Sequence, residues 1–532
     1  MTSFEQVMER QVSNLGKTKF DALVIGAGIY GAAVARDAAM RGLKVALIDK
    51  NDFCGKTSHN SLKIIHGGLR YLQHLNFKRT LESIQEQSIW LEVAPHLVKP
   101  MPCVMPTYGH SMRGPEAMWA GITLFQLMRF GRNRRISTDR KIPKGKILSK
   151  KECLDLLPNL DSKNLTGAAL WYDAQVFEAD RAVIEMVMSA AEEGAQVANY
   201  VEAKSLVVED KRVTGAIVHD TVDDQEYHVE AKYIINTAGP WIKQIIKTTG
   251  NKQAADYDLP LTASMNIVTR PLFGKKAIAL NSRLDSDSVV GSTKRLYFFT
   301  PWKDCQATGT THVSYSGNPD DLRVKDSEVQ QFIDEINQVY AGLDLSLDDV
   351  NYCYKGLTPA SDSGNNGGRA HEGRIFDHQK DGLDGLISVV GVKYTTARLE
   401  AEKAVNILAS KLRIDSKCQT RTKPFPGVNE QTAAIEDLTE DAFLEHCKQI
   451  IRQTAVVNLS DLILRRMDLA ARNLLTKSRL ELCIEALVSV KSMDSSQISK
   501  EIESFDSIWL HSSLKKDLME MKESLLKISL SS

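Results

Sequence analysis

Residues 21–49 constrain the fold of this chain more than any other stretch. The glycines in it have the spacing G-x-G-x-x-G, at Gly26, Gly28 and Gly31. The apolar run 22–25 suits a strand buried on both faces, and the alanine-rich segment that follows favours a helix ending at Gly42. A second apolar run, 45–48, ends in Asp49. This order of strand, turn, helix, strand and acid predicts a Rossmann-like dinucleotide-binding unit.

Each part of this unit has a predicted contact with a dinucleotide. The first glycine allows the tight turn, the second lets the backbone approach a pyrophosphate, and the third allows close packing of helix on strand. The helix N-terminus faces the phosphate charge, and the acid accepts hydrogen bonds from the ribose hydroxyls. The predicted contacts are Gly26, Gly28, Ile29, Tyr30, Gly31, Asp49 and Lys50. The motif alone leaves FAD and NAD open as the ligand.

Length and composition set the outer bounds. A chain of 532 residues exceeds one simple core, so we expect two or three domains. The 67 basic residues balance 67 acidic ones, which gives no argument for nucleic-acid binding. The eight cysteines form no C-x-x-C pair and no zinc spacing, so we predict reduced thiols, no metal site and a cytoplasmic location. Neither a signal peptide nor a run of about 18 apolar residues is evident.

Residues 57–72 combine hydroxyls and cations with a Gly-Gly pair, which favours a ligand surface. The polar residues in question are Thr57, Ser58, Ser61, Lys63 and Arg70. Residues 63–72 read K-I-I-H-G-G-L-R-Y-L. This segment resembles K-L-I-H-G-G-L-R-Y-L of the FAD-dependent glycerol-3-phosphate dehydrogenases, with one conservative change at Ile64. The motif is long and specific.

The resemblance extends along most of the chain. Its further segments are 171–181, 234–241, 301–304, 309–312 and 389–396. It implies FAD as the cofactor, with the backbone near Val201 holding the adenine. It also implies that the turn 389–396 presents a helix N-terminus to the flavin, where a positive end stabilises the charge of the reduced ring. The FAD contacts implied beyond residue 50 are Thr57, Ser58, Ser61, Lys63, His66, Val201, Thr237, Ala238, Gly239, Gly391, Lys393, Tyr394 and Thr395.

We predict an α/β protein with three parts. A Rossmann-like FAD-binding domain is discontinuous, and its predicted segments are 18–100, 170–255 and 355–410. A mixed-sheet substrate domain comprises 101–169 and 256–354. A C-terminal helical domain covers 411–532, where apolar residues at helical spacing predict core or interface stripes. The stripes are Leu459, Leu462, Ile463, Met467 and Leu474, and then Leu514, Leu518, Met521, Leu525 and Ile528.

The resemblance implies oxidation of sn-glycerol 3-phosphate to dihydroxyacetone phosphate by hydride transfer to flavin N5, with electrons passed to a quinone or another acceptor. Such a reaction needs a base near the hydroxyl and cations for the phosphate. His66 is the candidate base because an imidazole titrates near neutral pH; a structural histidine under the flavin is the alternative. By resemblance, the substrate contacts are Arg70, Tyr71, Arg374 and Lys393. For Arg374 the alternative is a surface ion pair.

The chain departs from the family pattern at three positions. Thr358 replaces the arginine of G-[LV]-R-P, Val392 replaces the glycine before the lysine, and His312 replaces the acid of G-T-T-D. Removing a guanidinium from a phosphate site costs about 1.5–3 kcal/mol. The residues that would offset it are Arg369, His371 and Arg374. A flavin dehydrogenase or oxidase with a different hydroxy or amino substrate, and a flavoprotein without turnover, therefore stay open as alternatives.

Residues 117–130 raise the question of a membrane. They are apolar, contain Trp119, and precede three arginines, at 132, 134 and 135. Such a combination can lie in a bilayer interface and meet anionic lipid, which would place the protein on the cytoplasmic face of the inner membrane. A helix packed inside the substrate domain with a solvated basic end is the alternative. The oligomeric state, a homodimer included, stays open.

Overall fold

The computed structural model describes residues 8–72, 75–110, 114–256, 259–286, 293–360, 370, 372–429 and 434–506. Its strands are β1 (Phe20–Ile25), β2 (Val45–Ile48), β3 (Ile64–Ile65), β4 (Val98–Tyr108), β5 (Lys146–Ser149), β6 (Leu165–Val176), β7 (Gln196–Ala198), β8 (Val201–Glu209), β9 (Arg212–Asp220), β10 (Gln225–Asn236), β11 (Leu261–Thr269), β12 (Ala277–Ser286), β13 (Thr293–Trp302), β14 (Cys305–Tyr315), β15 (Val350–Pro359), β16 (Arg374–Asp377) and β17 (Leu386–Val390). Its helices are α1 (Val12–Leu15), α2 (Ile29–Met40), α3 (Leu69–Leu72), α4 (Phe77–Val93), α5 (Pro115–Met128), α6 (Lys150–Leu156), α7 (Ala179–Glu192), α8 (Ile242–Lys247), α9 (Lys252–Ala255), α10 (Asp326–Val339), α11 (Ala397–Leu412), α12 (Glu440–Gln453), α13 (Lys477–Lys491) and α14 (Ser495–Asp506).

The first sheet carries the predicted dinucleotide-binding unit. Its strand order is β16-β17-β10-β1-β2-β7, and the neighbours from β17 to β7 run parallel. Strands β8 and β9 extend from β10 as an antiparallel pair. The alanine-rich helix α2 packs against this sheet and against the helices α7 and α11, where its small side chains allow close approach. The predicted strands at 22–25 and 45–48 and the helix ending at Gly42 are confirmed.

The second sheet is mixed and has the strand order β15-β11-β14-β13-β12-β4-β6-β3, with β5 beside β6. Strand β6 runs antiparallel to β4 along its whole length, and β3 pairs through Ile64 with Gln175. This sheet therefore includes β3, most of β6 and the second half of β15, whose residues lie in ranges predicted for the FAD domain. For β6, the difference from the predicted range arises because this strand, which directly precedes α7, pairs with β4 of the second sheet.

The C-terminal region is helical in the described residues, as expected. Four residues of its first predicted stripe are buried and Leu474 is half-buried, but the segment is a π-helical turn, Asp461–Arg466, and not one long helix. Asp468 has φ 54°, which ends the helical path one turn after Leu464. Apolar spacing predicted the burial but could not predict the wider π-helical turn, whose hydrogen bonds join residues five apart and not four apart. The stripe at 514–528 lies outside the described residues.

Two observations bear on the cysteines and on the membrane. All eight cysteines are free thiols. Among the helices of the described ranges, none combines the length and the apolar content needed to cross a bilayer.

Candidate active site

A cavity of about 1810 Å³ is lined by residues from both sheets and collects most of the predicted site residues. Those that line it are Gly26, Gly28, Ile29, Tyr30, Asp49, Lys50, Thr57, Ser58, Ser61, His66, Arg70, Tyr71, Val201, Thr237, Ala238, Gly239, Gly391, Lys393, Tyr394 and Thr395. Segments separated by more than 300 residues in sequence therefore meet around one space.

The glycine turn has the conformation that its spacing predicts. Gly26 has φ 98°, a conformation that favours glycine, and turns the chain from β1 into α2. A Cβ on Gly31 would collide with the Gly26 carbonyl oxygen, so only glycine permits this packing. Thr237 Oγ1 donates to the same oxygen at 2.8 Å and joins the second turn to the first. Helix α2 begins at Ile29, whose N–H donates to Ser58 Oγ at 2.9 Å.

Asp49 lies at the end of β2, where backbone groups hold its carboxylate. Its Oδ2 accepts from Ala27 N–H at 2.6 Å, and its Oδ1 accepts from Asn51 N–H at 2.9 Å. Burial raises the pKa of Asp49 to about 6, and these two hydrogen bonds oppose the rise. Val201 N–H donates to the Asp49 carbonyl at 2.7 Å. The acid and the predicted adenine-holding backbone are thus adjacent.

Lys50 has its charge paired at the cavity rim. Its Nζ lies 2.6 Å from Asp320 Oδ1 and 4.3 Å from the ring centroid of Trp241. Trp241 follows directly after the turn of Ala238 and Gly239, at the end of β10. Lys50 therefore connects the second turn to the loop that contains Asp320.

Tyr30 fixes the turn that precedes α11. Its hydroxyl donates to the Lys393 carbonyl at 2.8 Å and accepts from the N–H groups of Val392 and Lys393, each at 3.0 Å. Burial raises the pKa of Tyr30 to about 12, so the hydroxyl stays protonated. A Cβ on Gly391 would collide with the Tyr30 ring. Thr395 Oγ1 accepts from His66 N–H at 3.1 Å, which ties this turn to the H-G-G segment.

His66 has a carboxylate partner that the sequence motif does not contain. Its Nδ1 lies 3.2 Å from Asp173 Oδ2, and its side chain is 50% exposed. Asp173 is buried on β6, where its Oδ1 accepts from Gly67 N–H at 2.7 Å. Burial raises the pKa of Asp173, but the hydrogen bond and charge of His66, together with the Gly67 N–H and the charge of Arg129, hold it below its usual value. The pair is arranged as a base and the residue that orients it.

The cationic part of the cavity lies on and beside α3. Arg70 is exposed on this short helix, and Tyr71 follows it. Lys393 Nζ lies 3.9 Å from the centroid of the Tyr71 ring, a cation–π contact. Helix α3 and the turn before α11 therefore bring two positive charges to the same cavity.

Around Thr358, the cavity face of the second sheet carries amide, hydroxyl and imidazole groups, and Arg295 on β13 also lines the cavity. Asn266 Oδ1 accepts from Thr310 Oγ1 at 2.8 Å, and its Nδ2 donates to Asn60 Oδ1 at 2.8 Å. His312 Nδ1 lies 2.9 Å from Ser264 Oγ. Thr358 is 9% exposed, and its Oγ1 is buried without a hydrogen-bond partner among the described residues. This face presents amides, hydroxyls and an imidazole where the family arginine was expected.

The sequence model of the family described as FAD dependent oxidoreductase matches residues 21–398. This chain belongs to that family. The match covers both turns, the H-G-G segment and the start of α11, so it includes every element that lines the cavity described above. The predicted fold class and the predicted FAD cofactor are confirmed, and the protein is an FAD-dependent oxidoreductase.

Individual relatives agree with the family assignment. A glycerol-3-phosphate dehydrogenase of Synechocystis is 34% identical over 80% of this chain and 77% of its own length. The mitochondrial glycerol-3-phosphate dehydrogenase of Macaca fascicularis is 32% identical over 75% of this chain, which spans 54% of that protein. The crystal structure of a glycerol-3-phosphate dehydrogenase from Bacillus halodurans complexed with FAD has a TM-score of 0.68 and 20% identity, covering 95% of this chain and 96% of that one.

The residues of this oxidoreductase fit FAD. Gly28 directly precedes α2 in an extended conformation and places no side chain over the helix N-terminus, which suits a pyrophosphate. A Cβ on Gly28 would lie 2.9 Å from Ser58 Oγ and would close the approach to the backbone. Asp49 offers carboxylate oxygens to ribose hydroxyls, and the turn at 391–395 brings the N-terminus of α11 to the opposite end. The donor set therefore matches each part of the cofactor.

Two predicted site residues have side chains elsewhere. Lys63 is fully buried, with its Nζ 4.3 Å from the Trp302 ring centroid and 5.1 Å from that of Tyr354. Its ammonium is therefore not part of the cavity, because positive φ at this residue turns the side chain towards the C-terminal region. Arg374 begins the edge strand β16 opposite Val390 and does not line the cavity. Arg369 and His371 lie outside the described residues.

Sequence reasoning missed three functional candidates. Asp173 orients His66, and Asn60 with Asn266 organises the polar face. A signal for Asp173 was present, since it is an acid inside the apolar run of β6 and a lone buried acid needs a partner. No comparable signal marked the two asparagines, which meet across 206 residues.

Proposed function

We propose that this oxidoreductase converts sn-glycerol 3-phosphate to dihydroxyacetone phosphate and passes the electrons to a quinone or another acceptor. The observation that carries the proposal is the His66–Asp173 pair at the cavity, beside the cations of Arg70 and Lys393. FAD, when bound, supplies the hydride-accepting centre. The names of the relatives, at 34% and 32% identity, support the same substrate.

The chain's own residues supply the proton chemistry. Asp173 accepts from His66 Nδ1–H, so the neutral imidazole has Nε2 available to accept the proton of the substrate hydroxyl. The depressed pKa of Asp173 keeps its carboxylate ionised, which stabilises the imidazolium that forms. Deprotonation of the hydroxyl by His66 would accompany loss of the hydride from the same carbon.

The phosphate requires positive charge at a distance from that base. Arg70 can grip an oxyanion with two N–H donors, and Lys393 is held over Tyr71 as a second cation. Arg374 begins β16 and does not line the cavity, so the proposal assigns it no contact with the phosphate. We expect Arg70 and Lys393, on the α3 side of the cavity, to supply the charge that the family arginine would add at Thr358.

Product formation tests the proposal. The purified protein is mixed with an artificial electron acceptor and with either glycerol 3-phosphate or glycerol, and dihydroxyacetone phosphate or dihydroxyacetone is quantified. We expect oxidation of the phosphate ester, strong preference over glycerol, and loss of turnover in His66→Asn. Equal rates with glycerol would contradict phosphate recognition by Arg70 and Lys393.

The polar groups around Thr358 favour one second candidate, a flavin dehydrogenase or oxidase for a different hydroxy or amino compound. Thr358 Oγ1 needs a hydrogen-bond partner, and Asn266 and His312 can recognise hydroxyl or amino groups. A panel of uncharged hydroxy and amino compounds in the same assay separates the two candidates, since the second requires faster turnover with one of them.

We also propose that the protein rests on the surface of an anionic bilayer through an apolar patch on α4, α5 and the residues that flank them. The patch comprises Leu75, Phe77, Leu81, Trp119, Leu124, Leu127 and Phe130, all exposed. Helix α3 contacts both α4 and α5, and Leu72, Ile84 and Phe125 pack together beneath the patch.

Charge supports lipid as the occupant of the apolar patch. Arg132, Arg134 and Arg135 are exposed directly after it, and Trp119 and Phe130 are 60% and 84% exposed. Contact there would place the cavity mouth at Arg70 near the membrane, where a lipophilic quinone is available. Flotation with vesicles that contain anionic lipid should be reduced in Leu127→Ser and unchanged in Val222→Ser, which alters an exposed valine on another surface. Equal flotation of both variants would refute the docking surface.

A further inference from the structure

Two buried arginines of the C-terminal region form ion pairs with Asp52, in the loop that follows Asp49. Arg465 Nε donates to Asp52 Oδ2 at 2.6 Å. Arg466 donates through Nη1 to Asp52 Oδ2 at 2.8 Å and through Nη2 to Asp52 Oδ1 at 2.9 Å, which is a bidentate interaction. The side chain of Asp52 is 1% exposed and that of Arg466 is 3% exposed. Both arginines come from the π-helical turn Asp461–Arg466.

The same turn also holds the neighbouring loop. Tyr200 O–H donates to Asp461 Oδ1 at 2.6 Å. Asn199 Nδ2 donates to Asp52 Oδ1 at 3.0 Å and to the Ala455 carbonyl at 2.9 Å. The segment 455–466 therefore fixes the ends of two loops, one after β2 and one before β8.

These two loops carry the residues assigned to the adenosine. Asn51 N–H donates to Asp49 Oδ1, and Val201 N–H donates to the Asp49 carbonyl. Asn51 is adjacent to Asp52, and Val201 follows Tyr200 directly. Any displacement of Asp52 or Tyr200 thus reaches the carboxylate and the backbone that would meet the ribose and the adenine.

The position of Asp52 should be sensitive to the loss of either arginine, because its buried negative charge is balanced by both. Burial raises the pKa of Asp52, but Arg466 and Arg465 lower it to about 2, so the carboxylate is ionised at neutral pH. Removing one cationic partner from a buried, ionised carboxylate costs free energy, because part of the buried charge is then uncompensated. The loop would then shift to hydrate the charge.

We propose that Arg465 and Arg466 are positioning residues for the adenosine half of FAD, through which the C-terminal helical region sets how tightly the cofactor is held. These arginines lie beyond residues 21–398, the part that the family model matches. The proposal rests on the placement of adenosine beside Asp49, and it is independent of the substrate.

The experiment measures FAD and ADP binding to the full-length apoprotein, with ADP as the probe of the adenosine half. Arg466→Gln should weaken both affinities about tenfold, the effect of a lost charge-assisted hydrogen bond. Arg466→Lys keeps the charge without the bidentate interaction and should recover part of the loss. Arg472→Gln is the matched control, because Arg472 is equally buried in the C-terminal region but pairs with Asp304 and Glu436.

Thermal unfolding of each apoprotein separates positioning from stability. If Arg466→Gln and Arg472→Gln lower the melting temperature equally and leave ADP affinity unchanged, Arg466 is merely structural and the proposal is overturned. If Arg466→Gln does not fold, the melting temperature and ADP affinity of Arg466→Lys are compared with those of Arg472→Gln, and the same outcome overturns the proposal. Asp49→Ala tests the placement of adenosine separately. Unchanged ADP affinity in that variant would show that adenosine does not bind beside Asp49, which overturns the proposal even though the arginines still contact Asp52.

Discussion

Replacement of Asp173 by asparagine should remove most of the catalytic rate and leave FAD in place. Asp173 Oδ1 accepts from Gly67 N–H at 2.7 Å, and Oδ2 partners His66 Nδ1 at 3.2 Å. An asparagine keeps an oxygen for Gly67 but presents an amide NH₂ group to Nδ1. Nδ1 of His66 must then act as the acceptor, so the imidazole proton moves to Nε2. The imidazole can no longer accept the proton of a substrate hydroxyl.

The expected magnitudes follow from these contacts. A positioned general base contributes about 10²–10⁴-fold, so we expect a decrease of that order in the rate of flavin reduction. Loss of the charge-assisted contacts should lower the free energy of unfolding by about 1.5–3 kcal/mol at neutral pH. Because the folded-state pKa of Asp173 is depressed, this stabilisation is present above the unfolded-state pKa and disappears as pH falls through the folded-state value.

Anaerobic stopped-flow mixing with glycerol 3-phosphate gives the rate, and the absorbance of the purified protein gives FAD occupancy. Asp180→Asn is a matched control, because Asp180 is a buried acid 2.9 Å from His59 Nδ1 and neither residue lines the cavity. We expect the control to keep its rate of flavin reduction. A normal rate in Asp173→Asn, or an equal loss in both variants, would refute the assignment of His66 as base.

Three further predictions concern binding. Arg70→Ala should abolish turnover with glycerol 3-phosphate while FAD occupancy stays complete; loss of flavin would show that Arg70 holds the cofactor. Thr358→Arg should tighten glycerol 3-phosphate binding by at most about ten- to a hundredfold, the value of one charge-assisted hydrogen bond, and unchanged affinity in a titration would contradict an anion near this position. FAD binding should favour ionised Asp49, so the affinity of the apoprotein should fall as pH decreases below about 6, and Asp49→Asn should remove that dependence; identical pH profiles would refute the contact.

Local sequence was sufficient for the dinucleotide-binding unit. The glycines at 26, 28 and 31 act through backbone geometry within a few residues, and Asp49 ends the strand that follows. Burial of the apolar residues at 459–467 was predictable for the same reason, because their spacing is a local property. The π-helical path was not, since it depends on ion pairs with Asp52, which is 413 residues away from Arg465.

Other parts of the site depend on tertiary pairing that no motif contains. His66 and Asp173 are 107 residues apart and meet only because β3 lies beside β6. The motif around Lys63 suggested a cofactor contact, but positive φ at Lys63 turns its side chain away from the cavity, against Trp302. Tyr30 was expected at the cofactor, and its hydroxyl proves to fix the turn at 392–393.

Reduction of the bound flavin by glycerol 3-phosphate in the absence of oxygen tests the proposed function most directly. If His66, Arg70 and Lys393 act as assigned, the visible flavin absorbance bleaches within a single turnover, and one dihydroxyacetone phosphate forms per FAD. Persistence of the oxidised flavin at saturating glycerol 3-phosphate, with bleaching by an uncharged hydroxy or amino compound, would contradict the proposed substrate.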